Sequence, residues 1–537
     1  MIMKRVTFME KRLRFWRKKS KQQETMAPLK EAIEPSETMD NNLSKELKTN
    51  QQVLKDTFRN CSDIIFRELT LDDGVDALLI FVDGMVKSAE IHENALQPLL
   101  FKLAKTGVSD ITPDIVEDSV LSLSQVSHVN LYSEVVENVL TGNATLLING
   151  YSEALVLNVR GGTRRSVEEP ETEKVIRGPR EGFTENLRTN TGLIRFKVKS
   201  PRLKTVAMTI GEHTRTNVVL AYMEGIADSK VIDEVKNRLE SIHIDGVLES
   251  AYIEELIEDQ PYSPFPQLQN TERPDTVAAQ LLEGRFAIFV DGTPFVLLGP
   301  ITFWQMLQAS DDYYERYMMV SLIRLFRYLF LNLALFLPAL YIAVTTFHQD
   351  MLPTSLLLSV AAARETIPFP AIVEALIMEV SFEALREAGI RLPKGVGQTV
   401  SILGAIVIGQ AAVQAGIVSA PMVIVVAMTG IASFTIPRYN QAIAIRLLRF
   451  PLMFLAATFG LLGIVLGFVW IAVHLCNLRS FGVPYLSGVA PLKTDELKDI
   501  FVRAPWWKME LRPTSFSHRD RKRMGKQMKP SPPRSAR

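Results

Sequence analysis

The stretch Ser359–Val380, SVAAARETIPFPAIVEALIMEV, carries Arg364, Glu365, Glu374 and Glu379, with Pro368 and Pro370 among them, inside a strongly apolar part of the chain. An ionised carboxylate in such surroundings is costly unless it pairs or faces water. At membrane depth, acids of this kind face an assembly interior or an ion route. The chemistry these residue types offer is therefore ion pairing or cation passage. We read Glu365, Glu374 and Glu379 as candidate ion-path or gating residues and Pro368 and Pro370 as the break in a helix.

The elements around this stretch must position it. Tyr328–Phe347 has the length of a membrane span, and Arg324 and Arg327 before it favour a cytoplasmic start. Val396–Ala412, Ile417–Ile436 and Pro451–Val473 are three further expected spans. Arg438, Arg446 and Arg449 then fall in a loop, expected to be cytoplasmic. This orientation requires a return between His348 and Lys394. Leu352–Ala363 is too short to cross alone, and Pro368 and Pro370 interrupt its continuation, so a broken or re-entrant crossing fits. The alternative lays Ala371–Glu387 along the surface as an amphipathic helix, with Glu379, Glu383 and Glu387 on one face.

Gln398, Gln410 and Gln414 are candidates to line a hydrated route, whereas the glycines of these spans are explained by close helix packing. Four spans and one return leave the chain outside after Val473, although the end of the chain is strongly basic. His474–Ala490 is therefore expected to dip back, giving five or six membrane-associated segments and a cytoplasmic tail.

The average composition, 47% apolar and 22% charged over 537 residues with a net charge of +1, conceals this division. Met1–Lys21 holds nine Lys or Arg against one Glu, and Arg503–Arg537 holds eleven against Glu510 and Asp520. Flanking an anionic bilayer explains such ends better than nucleic-acid binding, and no nucleic-acid partner is expected. The N-terminal charges have no signal-peptide core behind them, so a cytoplasmic start is expected. Cys61 and Cys476, the two cysteines, form no zinc motif and no expected disulfide.

The organisation expected is a polar leader at 1–60, a first α/β unit at 61–160, a second at 161–310, an all-α polytopic membrane domain at 320–490 and a basic tail at 491–537. Asp76–Val86 and Gly142–Gly161 read as strand–turn units. Glu93–Lys105 and Ile115–Thr141 are spaced as helices. Thr205–Ile210 and Val218–Met223 read as strands, and Ser229–Ile242 as a helix. IFVDG occurs at Ile80–Gly84 and again at Ile288–Gly292. A duplicated element and independent reuse of a favourable Asp–Gly turn both explain it, so Asp83 and Asp291 are turn residues before they are catalytic acids. The basic block Val175–Lys204 lacks phosphate-loop spacing. Arg177, Arg180, Glu181 and Arg188 within it are candidate interface residues. No nucleophile elbow or metal-ligand spacing emerges, and neither an enzyme nor a cofactor is expected.

DALLIFVDG at Asp76–Gly84, RGPREGFTENLRTNTGLIR at Arg177–Arg195, the block Pro264–Pro300 and DDYYERYMMVSLIRLFRYL at Asp311–Leu329 together resemble the GerA family of spore-germination receptor A subunits. The charged proline-containing segment and LPKGVGQTVSILGAIVIGQAAVQAGIVSAP match its membrane region. The resemblance covers about residues 60–500. It implies a multi-pass component of the endospore inner membrane, partnered by a polytopic B subunit and a lipoprotein C subunit. It also implies homo-oligomers around a conduit for monovalent cations, opened when nutrient binds the B subunit. A non-conducting structural subunit and a secondary transporter component are the competing functions.

Overall fold

The computed structural model describes residues 41–530 apart from 72–73, 103–111, 118–124, 162–168, 171, 394–408, 518–519 and 526–527. Two antiparallel five-stranded sheets form the first half. The first contains β1 (Ile64–Thr70), β2 (Asp76–Val82), β3 (Val126–Val129), β4 (Ala144–Ile148) and β5 (Ala154–Leu157), with α1 (Leu47–Thr57) before it and α2 (Tyr132–Thr141) between β3 and β4. The second follows α3 (Leu187–Lys197). It contains β6 (Leu203–Ile210), β7 (Thr216–Met223), β8 (Gln269–Thr271), β9 (Phe286–Val290) and β10 (Val296–Gly299). Between its strands run α4 (Ser229–Glu240), α5 (Ser250–Ile257) and α6 (Pro274–Leu281).

The strand orders are β1-β2-β4-β5-β3 and β6-β7-β9-β10-β8, one topology used twice. Both faces of each sheet are covered, which explains the unbroken apolar runs. Leu79 and Leu146 bury on one side of the first sheet, and Leu78, Ile80 and Leu147 on the other. The matched order pairs β2 with β7 and β4 with β9. The two IFVDG copies end β2 and β9, which are not equivalent strands, so the shared pentapeptide is turn reuse; the duplication lies in the topology.

The leader, expected to be flexible or loosely helical, includes α1, seated by Leu54 and by Asn50, whose Oδ1 accepts from Ser44 N–H at 2.8 Å and Tyr132 O–H at 2.6 Å. One apolar anchor and one polar anchor leave little periodicity to read. The helical reading of Ile115–Thr141 hides β3, an edge strand whose central Ser127 and His128 are exposed.

Both Asp–Gly turns grip α3. Asp291 Oδ1 accepts the Leu187 N–H at 3.2 Å, and Asp83 pairs with Arg188 at 3.3 Å. Gly192 admits the turn of the first unit, because a Cβ there would lie 2.8 Å from the Gly84 carbonyl oxygen. Beneath this contact, Arg195 is held by Asp63 through Nε at 2.6 Å and Nη2 at 3.0 Å, with both side chains buried. Thr205 O–H donates to the same carboxylate at 2.7 Å. The pair joins the two units.

The second half is helical: α7 (Tyr317–Phe347), α8 (Thr354–Arg364), α9 (Ala371–Arg391), α10 (Ala420–Phe434), α11 (Tyr439–Phe459) and α12 (Leu461–Asn477). Two of these, α7 and α11, are long and apolar enough to cross a membrane, with mean hydropathy 1.9 and 1.7. The expected single span Pro451–Val473 is instead a hairpin. Gly460, at φ +61, separates α11 from α12, and Gly463 and Gly467 pack back on Leu455 and Leu452. Arg446 and Arg449 lie inside α11, not in a loop. The expected span Val396–Ala412 falls mostly outside the described residues.

α12 returns toward the α/β region, where His474 Nε2 lies 2.8 Å from Ser263 Oγ. In place of a second crossing, Arg479–Ser480 and Val483–Pro484 form a ribbon whose Phe481 packs on Phe286 at 4.9 Å. The tail then straps the second unit to α7. Arg324 of α7 bonds Asp312 at 3.0 Å and Asp499 at 2.9 Å, and Tyr313 O–H donates to Asp499 at 2.7 Å.

Burial opposes ionisation of Asp63, but Arg195 and Thr205 outweigh it and hold the carboxyl below its usual range. The folded chain thus binds this proton less tightly than the unfolded one, whose pKa is about 3.9. Asp63→Asn should cost about 3–5 kcal/mol of stability at neutral pH by stranding Arg195. In denaturation of the solubilised chain, that deficit should persist above pH about 4 and shrink as pH falls through the depressed native pKa.

Candidate functional site

The breaker sequence produces a bend. α8 ends at Arg364, Pro370 provides the extended residue before α9, and both prolines are exposed in the connection. Glu374, in the first turn of α9, is fully buried. Its Oε2 accepts the backbone N–H of Ser419 at 2.9 Å and the hydroxyl at 2.7 Å, while Arg364 Nε lies 3.2 Å from Oε1. One carboxylate therefore ties the end of α8 and the start of α10 to α9.

Further along α9, Glu379 accepts from Arg449 Nη1 at 2.5 Å. Arg449 Nε donates to the Ala334 carbonyl of α7 at 3.0 Å. That carbonyl lacks its helical donor because residue 338 is proline, inside α7. Arg449 thus satisfies a backbone defect and neutralises an acid at once. Next, Glu383 accepts from Arg446 at 2.7 Å and Arg386 at 3.2 Å, and Arg386 reaches Ser433 Oγ at 3.3 Å. The Glu379–Glu383 and Arg449–Arg446 spacings match two antiparallel helices, so α9 and α11 are joined by a ladder of opposite charges. Among the described residues, Glu379 Oε1, Arg449 Nη2, Arg446 Nε and Arg386 Nε are buried without a hydrogen-bond partner.

The ladder brings Glu374 and Glu379 together with arginines that the sequence reading assigned to a loop. Glu387, one turn beyond Glu383 on α9, is exposed and pairs with Arg391 at 2.5 Å. Glu365 and Gln410 are exposed, and Gln398 lies outside the described residues. In the α/β region Arg177 and Arg180 are exposed, Glu181 pairs with Lys197 at 3.0 Å, and Arg188 reaches Asp83. The sequence signal for the missed partners was the Arg446–Arg449 spacing against Glu379–Glu383, readable only once α11 is known to start at Tyr439.

Two antiparallel five-stranded sheets are thus strapped to a helical domain that holds buried charge pairs and two helices long and apolar enough to cross a membrane. The family model for the Bacillus/Clostridium GerA spore germination protein matches residues 52–515, and this chain belongs to that family. It is 60% identical over 484 residues to the uncharacterized membrane protein YfkQ of Bacillus subtilis, covering 90% of this chain and 94% of the relative. It is 48% identical to spore germination protein KA of the same organism, covering 91% and 90%. With spore germination protein B1 of Bacillus subtilis the identity is 40%, covering 88% and 97%. A crystal structure of the N-terminal domain of the A subunit of the Bacillus megaterium spore germinant receptor GerK3 aligns at 34% identity and TM-score 0.40. It covers 49% of this chain and 98% of its own.

Removing one partner of a buried pair strands the other. Glu379→Ala should therefore cost about 3–5 kcal/mol, whereas Glu379→Leu with Arg449→Met should recover most of that loss except the Ala334 contact. A double-mutant cycle on the thermal stability of the detergent-solubilised chain reads the coupling directly.

Proposed function

We propose that this chain is the A-type subunit of a nutrient-responsive germinant receptor in the spore inner membrane. It works with a B subunit that recognises the nutrient and a lipoprotein C subunit. Several copies surround a hydrated route for monovalent cations, and nutrient binding to the B subunit opens it. Family membership supports the germination role.

The observation that carries the conducting role is the acid–arginine ladder of α9 and α11. Buried opposite charges with leftover polar atoms form a closed arrangement that a small helix shift converts into a wet, charged lining. Glu374 and Glu379 then act as gating acids, because opening must exchange Arg364 and Arg449 for water. Glu365, exposed beside the bend, needs water or a neighbouring copy at membrane depth rather than lipid. Gln410, exposed before α10, is the further candidate for the polar lining, together with Gln398, which lies outside the described residues. Pro368 and Pro370 hold the bend, and the strap through Asp312, Arg324 and Asp499 passes movement of the α/β region to α7.

A non-conducting structural subunit is favoured by one fact, the complete pairing of Glu374 within a single chain. The two readings part in one experiment on the reconstituted receptor. Glu365→Gln should lower cation conductance or selectivity several-fold without lowering assembly. Glu379→Gln should change nutrient-gated opening more than conductance. Unaltered currents and nutrient-triggered cation release in both assembled variants would leave the structural reading standing.

A further inference from the structure

The second sheet carries different surfaces on its two faces. On one, α3 and α6 cover Val219, Ala221 and Phe289; on the other, α4 and α5 cover Val218, Leu220 and Ile288. The inner side of α5 is used by Ile253 and Ile257, buried in that core. Its outer side exposes Tyr252 (42%) and Leu256 (52%), one turn apart, and Leu248 (69%) is exposed just before the helix begins. Acids surround these side chains. Glu255 is exposed, and Glu249, Glu254 and Glu258 are half-buried beside it. Burial, then the charges of Glu258 and Glu249, pushes the Glu254 carboxyl up to about 8.

The opposite face presents the reverse. Ile176 stands 91% exposed beside the exposed Arg177 and Arg180. This loop is held rather than loose. Asp311 accepts the Ile176 backbone N–H, and Arg273 Nη2 donates to the Pro179 carbonyl at 2.8 Å. Gly178 sits against the Tyr314 ring so closely that a Cβ would lie 2.8 Å from it.

We propose that a second copy of this chain seats its Ile176–Arg180 loop on the outer face of α5, head to tail. The inference rests on the homo-oligomeric reading above and names the surfaces that make it. An apolar knob between two arginines matches an apolar patch among carboxylates, and arginine there relieves the crowding around Glu254. Because the two surfaces lie on opposite faces of one sheet, a chain cannot join them within itself. Each copy keeps one of each free for a neighbour, and such a contact repeats into a ring where its rotation closes. The acidic rim also disfavours an anionic bilayer as the occupant.

The test uses the full receptor in a Cys476→Ser background, since Cys61 is buried. Ile176→Cys and Leu256→Cys in one chain should give a ladder of oxidised multimers, and neither variant alone should. Arg177→Glu should cut the cross-linked fraction several-fold, and mixing those copies with copies carrying Glu255→Lys should recover much of it, with melting temperatures unchanged. An assembly of confirmed multimeric mass that gives no ladder, or a Leu256→Cys that joins a B or C subunit instead, overturns this interface while leaving the oligomer intact. A chain that is monomeric in the native receptor overturns the oligomeric reading itself.

Discussion

Pro338 removes a hydrogen-bond donor from the middle of α7 and leaves the Ala334 carbonyl to be satisfied from elsewhere. Arg449 supplies the donor, and a buried guanidinium in turn needs a counter-charge, which Glu379 provides. This requirement fixes the register of α11 against α7 and of α9 against α11. With that register set, Glu383 meets Arg446, and Glu374 meets the start of α10. The charges that look misplaced in an apolar sequence are what make the helices choose one arrangement. Apolar side chains alone specify helix register weakly where lipid is as apolar as the packing partner.

The α/β region repeats the device on a larger scale. Asp63 and Arg195 lie in different units, so their pair selects one relative placement of the two sheets. α3 is the shared part, gripped by the turn after β2 at Arg188 and by the turn after β9 at Leu187. At the boundary with the helices, Arg324 is shared between Asp312 before α7 and Asp499 from the end of the chain. Glu173, on the segment between the sheets, meets Arg438 at the entry to α11. The α/β region therefore meets the helical domain at two charged contacts, one on α7 and one at the entry to α11, each made by a buried arginine.

Much of this was legible. The strands at Thr205–Ile210 and Val218–Met223 are within β6 and β7, and the helix read at Ser229–Ile242 is α4, because alternation and amphipathic spacing are strong there. The break at Pro368 and Pro370 was equally plain, since proline chemistry is local. β3 was hidden because its outward residues are polar and its length is four. The hairpin at Gly460 was hidden because a glycine within an apolar run reads as helix packing, and a positive φ leaves no mark on composition.

Residue type and spacing by themselves determined that the chain has an α/β half and an apolar helical half, and that the acids near the prolines must be paired or wet. Desolvation makes that demand wherever the partners lie. Which arginine answers which acid was decided only in three dimensions. Glu379 and Arg449 are 70 positions apart, and Asp63 and Arg195 are 132 apart. Long-range pairs of this kind depend on helix register and on how sheets dock, and neither quantity is written in local sequence.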